Sequence, residues 1–212
     1  MPASHETALH NLISAFVTLF VVVYPVGLGP LFLGLTQDLP DATKRKIGRD
    51  ACIIAFGVLA GSALIGNWLL TALGISLEAF RIAGGLLLFA IAFEMVFERR
   101  QKRKASHTSP QGSASIAAFP LGIPLMAGPG AITACVLLAG EAGGNWLELA
   151  ILIGVIVVVM AMCFAVFSTA NILQRFMGPR GVIIAGRLLG VLLAAMAVQF
   201  VADGVAALVR QH

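Results

Sequence analysis

Pro25-Val26-Gly27-Leu28-Gly29-Pro30 and, 99 residues later, Pro124-Leu125-Met126-Ala127-Gly128-Pro129 share the spacing P-x-x-x-G-P, each inside a long uncharged stretch. Inside a helix a proline has no amide hydrogen to donate, and its ring clashes with the carbonyl four residues back. Pro25 and Pro30 therefore withhold a hydrogen bond from Val21 and Val26, and Pro124 and Pro129 withhold one from Pro120 and Leu125. Gly27, Gly29, Gly128 and Gly130 allow the close backbone approach that a break needs. Backbone that has lost its helical partners cannot face lipid, so it must be buried in protein or line a wet cavity. One such motif alone reads as a kink in a packed helix; the matched pair reads as two facing breaks.

Working outward, the breaks sit in a chain of 212 residues that is 59% hydrophobic and 11% charged, with mean hydropathy +0.96. Soluble domains carry about 25% charged residues, and disordered chains are poor in large apolar side chains, so both classes are excluded. A bilayer core of about 30 Å asks for roughly 20 apolar residues per helix. Six stretches qualify, at about 8–35, 51–73, 80–97, 115–139, 149–170 and 188–209. Alternating strands of the outer-membrane type are absent from the pattern. The first ten residues, MPASHETALH, hold no Lys or Arg, so the first span is read as part of the mature protein rather than as a signal peptide.

Sidedness follows from the basic residues. Lys44, Arg45, Lys46 and Arg49 fall in the loop after span 1, Arg99, Arg100, Lys102, Arg103 and Lys104 in the loop after span 3, and Arg175, Arg180 and Arg187 around the loop after span 5. Those are 12 of the 14 Lys and Arg residues, leaving Arg81 and Arg210 for the other side. The expectation is a multi-pass membrane protein with basic loops in the cytoplasm and both termini outside. The basic run at 99–104 is read as a topology determinant that touches anionic lipid. The bilayer is then the partner that explains the net charge of +4, and no nucleic acid is expected.

A second echo supports a duplication: Arg81-Ile-Ala-Gly84 opens span 3 and Arg187-Leu-Leu-Gly190 opens span 6, 106 residues on. Three spans per half force the second half to cross in the opposite sense. The predicted fold is an all-α membrane protein with six transmembrane helices, built as two inverted-topology three-helix repeats with helices 1 and 4 broken. Its parts are residues 1–97, a basic cytoplasmic linker at 98–114, and residues 115–212.

The chemistry-bearing side chains are few. Cys52, Cys135 and Cys163 lie in separate apolar stretches, and His5, His10, His107 and His212 fall at the termini or in the long loop. Neither a metal site nor a cofactor is expected, and no phosphate-binding P-loop motif is present. Within the spans, Glu94 is the candidate for ion coupling, its alternative being an interfacial carboxylate near the cytoplasmic end; Asp203 and Gln199 carry the same ambiguity. Arg81 and Arg187 are read as interface anchors. Asn67 and Thr133 are read as close to the breaks, with helix–helix hydrogen bonding as the alternative for each. Gly57-x-x-x-Gly61 and Gly186-x-x-x-Gly190 are read as close-packed seams within the bundle.

These residues resemble a known group. Tyr24-Pro-Val-Gly-Leu-Gly-Pro30, Phe80-Arg-Ile-Ala-Gly-Gly85, Phe119-Pro-Leu-Gly-Ile-Pro-Leu-Met-Ala-Gly-Pro-Gly130 and Gly186-Arg-Leu-Leu-Gly190 look like segments of the MarC family of bacterial inner-membrane proteins, also described as six-helix neutral amino acid transporters. The resemblance spans both halves. It implies a location in the bacterial plasma (inner) membrane, six spans, and transport of small neutral amino acids in at least some relatives. One position departs: family members usually show asparagine before the first proline, where this chain has Tyr24.

The resulting expectation is a secondary transporter of small neutral solutes, amino acids foremost, working by alternating access. Restarting helices offer amide groups and a positive dipole end to a carboxylate, and the opened carbonyls suit an ammonium. The candidate substrate-binding set is Tyr24, Pro25, Gly27, Gly29, Pro30, Pro124, Gly128, Pro129, Gly130, Thr133 and Asn67. The alternative is a non-transporting membrane protein with an assembly or stress-related role. An intramembrane enzyme ranks last and no catalytic residue is expected, because Glu94 and Asp203 are predicted near opposite faces.

Overall fold

The computed structural model describes residues 2–36, 39–97 and 116–211, and every regular element among them is helical. In order these are α1 (Pro2–Val23), α2 (Pro25–Thr36), α3 (Asp41–Ala72), α4 (Leu77–Val96), a π-helical segment (Ala117–Met126), α5 (Pro129–Glu141), α6 (Trp146–Ser168) and α7 (Ala170–Gln211). The basic linker expected at 98–114 lies outside the described residues.

Local signals account for most boundaries. Ser76 caps α4 by accepting from the Ala79 amide at 3.1 Å, and Asn145 caps α6 by accepting from Leu147 at 3.0 Å. Pro25 and Pro129 each stand at the first position of a helix, where the missing amide costs no hydrogen bond and φ is already suitable. Gly178, at φ 61°, kinks α7 between its first turns and its apolar body. The apolar stretches mark where helices cross, not where they begin. Thus α3 starts at Asp41, ten residues before the uncharged run, because Asp41–Asp50 favours helix in water as well.

By length and composition, Asn11–Thr36, Asp41–Ala72, Leu77–Val96, Trp146–Ser168 and Arg180–Arg210 are each sufficient to cross a membrane. The fourth predicted crossing is divided between the π-helical segment and the shorter α5.

The side-chain distribution inverts the pattern of a soluble bundle. On α3, the inward face at three- to four-residue spacing is Ala51, Ala55, Leu59, Ala63, Gly66 and Leu70, while Ile53, Leu64, Ile65 and Trp68 are exposed. Small residues face inward and bulky apolar ones outward, as expected where lipid is the solvent and close backbone approach replaces hydrophobic collapse. The same device joins α4 to α7. Gly85 lies against Ala197 and Val201, Gly190 against Ala92, Met95 and Val96, and Gly204 against Glu78 and Ile82. Rising numbers on one helix meet falling numbers on the other, so α4 and α7 are antiparallel. Gly186 and Gly190 are therefore close-packed as expected. The Gly57–Gly61 pair is a correction: both residues face open space rather than another helix, because they fall off the inward stripe of α3.

Candidate functional site

The first break is a single residue. Tyr24 leaves the helix at φ 56°, in the left-handed region that L side chains other than Asn and Asp rarely visit. Its amide still donates to Phe20 at 2.9 Å and its carbonyl accepts from Gly27 at 3.1 Å, so the chain turns sharply without losing both neighbours. Its side chain is buried, and the hydroxyl donates to the Val182 carbonyl on α7 at 2.6 Å.

The second break has different geometry. The π-helical segment carries Pro120 and Pro124 in its interior, within a wider turn than that of an α-helix. It closes with the Ala127 amide donating to Gly122 at 2.9 Å; Ala127 and Gly128 are then non-helical before Pro129 starts α5. Such π-turns recur at functional sites.

The two breaks meet. A Cβ added to Gly130 would lie 3.4 Å from Val22 of α1 and 3.4 Å from Leu88 of α4, and would collide with Ile91. Val22 is two residues before Tyr24, and Gly130 two residues after Gly128. Thr133, one turn further along α5, is buried with its side chain against Gly84 of α4.

Of the predicted site residues, Tyr24, Pro25, Gly27, Gly29, Gly130 and Thr133 are buried, Pro30, Pro124 and Gly128 are half-buried, and Pro129 is exposed. Asn67 does not join them. It is exposed on α3 between Ile65 and Trp68, because a helix turns it away from its inward-facing neighbour Gly66, which packs on Val136. Glu94 is half-buried towards the far end of α4 from Arg81, roughly 20 Å away at 1.5 Å per residue.

Sequence reasoning missed two partners. Arg81, read as an interface anchor, is ion-paired with Glu141 at 2.9 Å, which ties the start of α4 to the end of α5. Glu141 is the last residue of α5, and no spacing in the sequence signals its pairing. Burial pushes its carboxyl above the usual range, Arg81 opposes that, and Asp203 adds to it. Gln199 donates to Asp203 at 2.8 Å nearby on α7. The other missed partner is the Val182 carbonyl, since backbone acceptors leave no mark in the sequence.

Two cavities open at opposite ends of the bundle. One, of about 300 Å³, is lined by Asn11, Ser14, Ala15, Leu138, Glu141, Glu148, Ile151 and Leu152. Along α1 its floor is seven or eight residues from Val22, roughly 10–12 Å, and the buried Thr18 and Leu19 lie between. The other, of about 580 Å³, is lined by Asp41, Ala42, Arg45, Lys46, Arg49 and Phe164. The breaks lie between two vestibules, one acidic and one basic. Among the described residues, no group of His, Cys, Asp and Glu could hold a metal ion.

Apolar helices long enough to span, small residues turned inward and interrupted helices buried at the centre define a multi-pass integral membrane protein. Residues 9–209 match the MarC family integral membrane proteins. The chain is 37% identical to a membrane protein of Archaeoglobus fulgidus over 91% of both chains. It is 32% identical to the membrane protein YhcE of Escherichia coli, over 90% of this chain and 89% of that one. With the membrane protein YvbG of Bacillus subtilis the identity is 30%, over 91% and 93%. The chain belongs to the MarC family. No solved structure matches it.

Proposed function

We propose that this protein is a secondary transporter of small neutral solutes, amino acids foremost, which works by alternating access between the two vestibules. The observation that carries the reading is the convergence of the breaks, with Gly130 packed directly against Val22. Here the first turns of α2 and α5 direct their positive dipole ends towards the region of the breaks, which suits a carboxylate. Pro25 and Pro30 have no amide to return to Val21 and Val26, so these carbonyl oxygens lack the helical partner that another residue would supply, which suits an ammonium.

The finer architecture belongs to the same proposal. Two inverted three-helix repeats, residues 1–97 and 115–212, account for broken helices in corresponding first positions and for antiparallel packing of the two third helices, α4 and α7. The asymmetry of Lys and Arg supports basic loops in the cytoplasm and both termini outside, in the inner membrane of a bacterium. A carrier rather than an enzyme is supported by the carboxylates: Asp203 lies at the Arg81 end of the bundle and Glu94 at the other, too far apart to act as a pair.

Counterflow tests the reading. Purified protein in liposomes, loaded with unlabelled glycine, alanine or serine, is expected to accumulate the labelled solute, and Gly130→Leu to abolish this. No counterflow of any small neutral amino acid by the wild type refutes the proposal.

A further inference from the structure

Tyr24 is the chain's one tyrosine, and it is held in a conformation that its own backbone disfavours. Its surroundings explain why it persists there. The ring lies over Gly27 so closely that a Cβ on Gly27 would overlap it, and a Cβ on Gly186 would come within 2.8 Å of the hydroxyl. Two glycines from different parts of the chain, one on α2 and one on α7, thus form the walls of a slot that the Tyr24 side chain fills. At the end of the slot the hydroxyl reaches the Val182 carbonyl, which is accessible because Gly186, one turn later, carries no side chain to cover it.

The slot starts at the first break itself, two residues along the chain from Val22, which packs on Gly130. Its occupant has the general form of a small polar solute: an apolar body with a hydrogen-bond donor at one end. It also links the moving parts, since a shift of α7 relative to α1 and α2 must either break the bond to Val182 or carry Tyr24 along.

We propose that Tyr24 is the gate and size filter of the site: in the closed state it fills the slot between Gly27 and Gly186, and on opening a solute with an N–H or O–H donor takes its place on the Val182 carbonyl. This rests on the transporter reading above and adds the Val182 carbonyl to the acceptors open to the solute's ammonium. The left-handed backbone at Tyr24 favours departure, and the hydroxyl bond opposes it. A gate must be nearly balanced in this way, because a residue held only by favourable terms would not open.

The test uses the full chain in nanodiscs of phosphatidylethanolamine and phosphatidylglycerol, as wild type, Tyr24→Phe and Tyr24→Ala. Phe keeps the ring and its packing, so this variant retains the fold. Amide hydrogen exchange over residues 183–190 is expected to quicken by roughly three- to tenfold in Tyr24→Phe, the size of one buried hydrogen bond, and further in Tyr24→Ala, with residues 51–59 unchanged. Exchange at 183–190 that is unaltered in both variants overturns the gate. Alanine or leucine is then added at millimolar concentration. In the wild type alanine alone is expected to alter exchange at 183–190, whereas in Tyr24→Ala both solutes restore protection. Faster exchange without protection by either solute makes Tyr24 a packing residue and overturns the proposal. Solute protection together with failed wild-type counterflow would refute transport while leaving the gate standing.

Discussion

In the first half of the chain the helix stops at Tyr24, one residue ahead of Pro25; in the second it stops at Ala127 and Gly128, just ahead of Pro129. The hexapeptide spacing is the same, yet the helix restarts on the first proline of one motif and on the last proline of the other. The remaining prolines have different fates too. Pro30 is carried inside α2, while Pro124 is absorbed by a π-helical turn. What separates the two regions is how each break is secured. The first depends on one large side chain tethered to a distant helix, and the second on small residues packed tightly on their neighbours. The first is built to let go, and the second to stay.

That contrast is open to attack by mutation, with the largest effect expected at the second break. Gly130→Leu would drive a side chain into Ile91, Leu88 and Val22. Overpacking of this kind costs about 1–3 kcal/mol, and here it also separates the breaks, so a lower melting temperature and loss of counterflow are expected together. Wild-type behaviour in both would remove the difference between the two regions.

At the first break the corresponding clash is with a side chain that can move. Gly27→Ala is expected to destabilise the protein while Tyr24 is present, and to be neutral or slightly stabilising in a Tyr24→Ala background. A double-mutant cycle by thermal unfolding should give a coupling of about 1–2 kcal/mol. Additive effects would show that the ring does not occupy the slot.

A smaller effect concerns the ion pair that ties α4 to α5 beside the acidic vestibule. The Glu141 carboxyl titrates above its ordinary value of 4.5, chiefly through burial. Its folded form therefore binds the proton more tightly than the unfolded chain does. The linked contribution is full below the unfolded value and is lost as pH rises through the folded one. Unfolding midpoints followed upward from about pH 4 should show this decline, and Glu141→Gln should flatten it. Arg81→Gln, by removing the group that opposes the shift, should move the decline to higher pH.

The smallest change is expected at Asn67, which is exposed on α3. Asn67→Ala should alter stability by no more than about 0.5 kcal/mol and leave counterflow unchanged. A strong transport defect there would return Asn67 to the site.

Much of this could be read before folding. Uncharged stretches of about 20 residues mark the crossings, and the paired proline–glycine motifs mark where helices are interrupted, because both signals are local; which proline restarts each helix is not in the spacing. Thr133 was legible as a break-side residue, since it follows Gly130 by one helical turn. The outward position of Asn67 is not legible, because polarity within a span shows that a residue is costly to bury, not which way its helix is turned. Glu141 was passed over for the converse reason: a carboxylate at a span end looks ordinary until Arg81, 60 residues away, is brought beside it.

By itself, then, the sequence determined that the chain is helical and membrane-embedded, and that two of its crossings are interrupted by paired proline–glycine motifs. Those properties depend on composition and on interactions within a few residues. The tertiary structure alone decided that Gly130 rests on Val22, that Tyr24 rather than a motif proline is the first break, and that its hydroxyl ends on Val182. The first and last are contacts between helices far apart in the chain, and the second is a single backbone dihedral. Rotation about the helix axis and one backbone dihedral determine whether such groups touch, and no local pattern of residues specifies either.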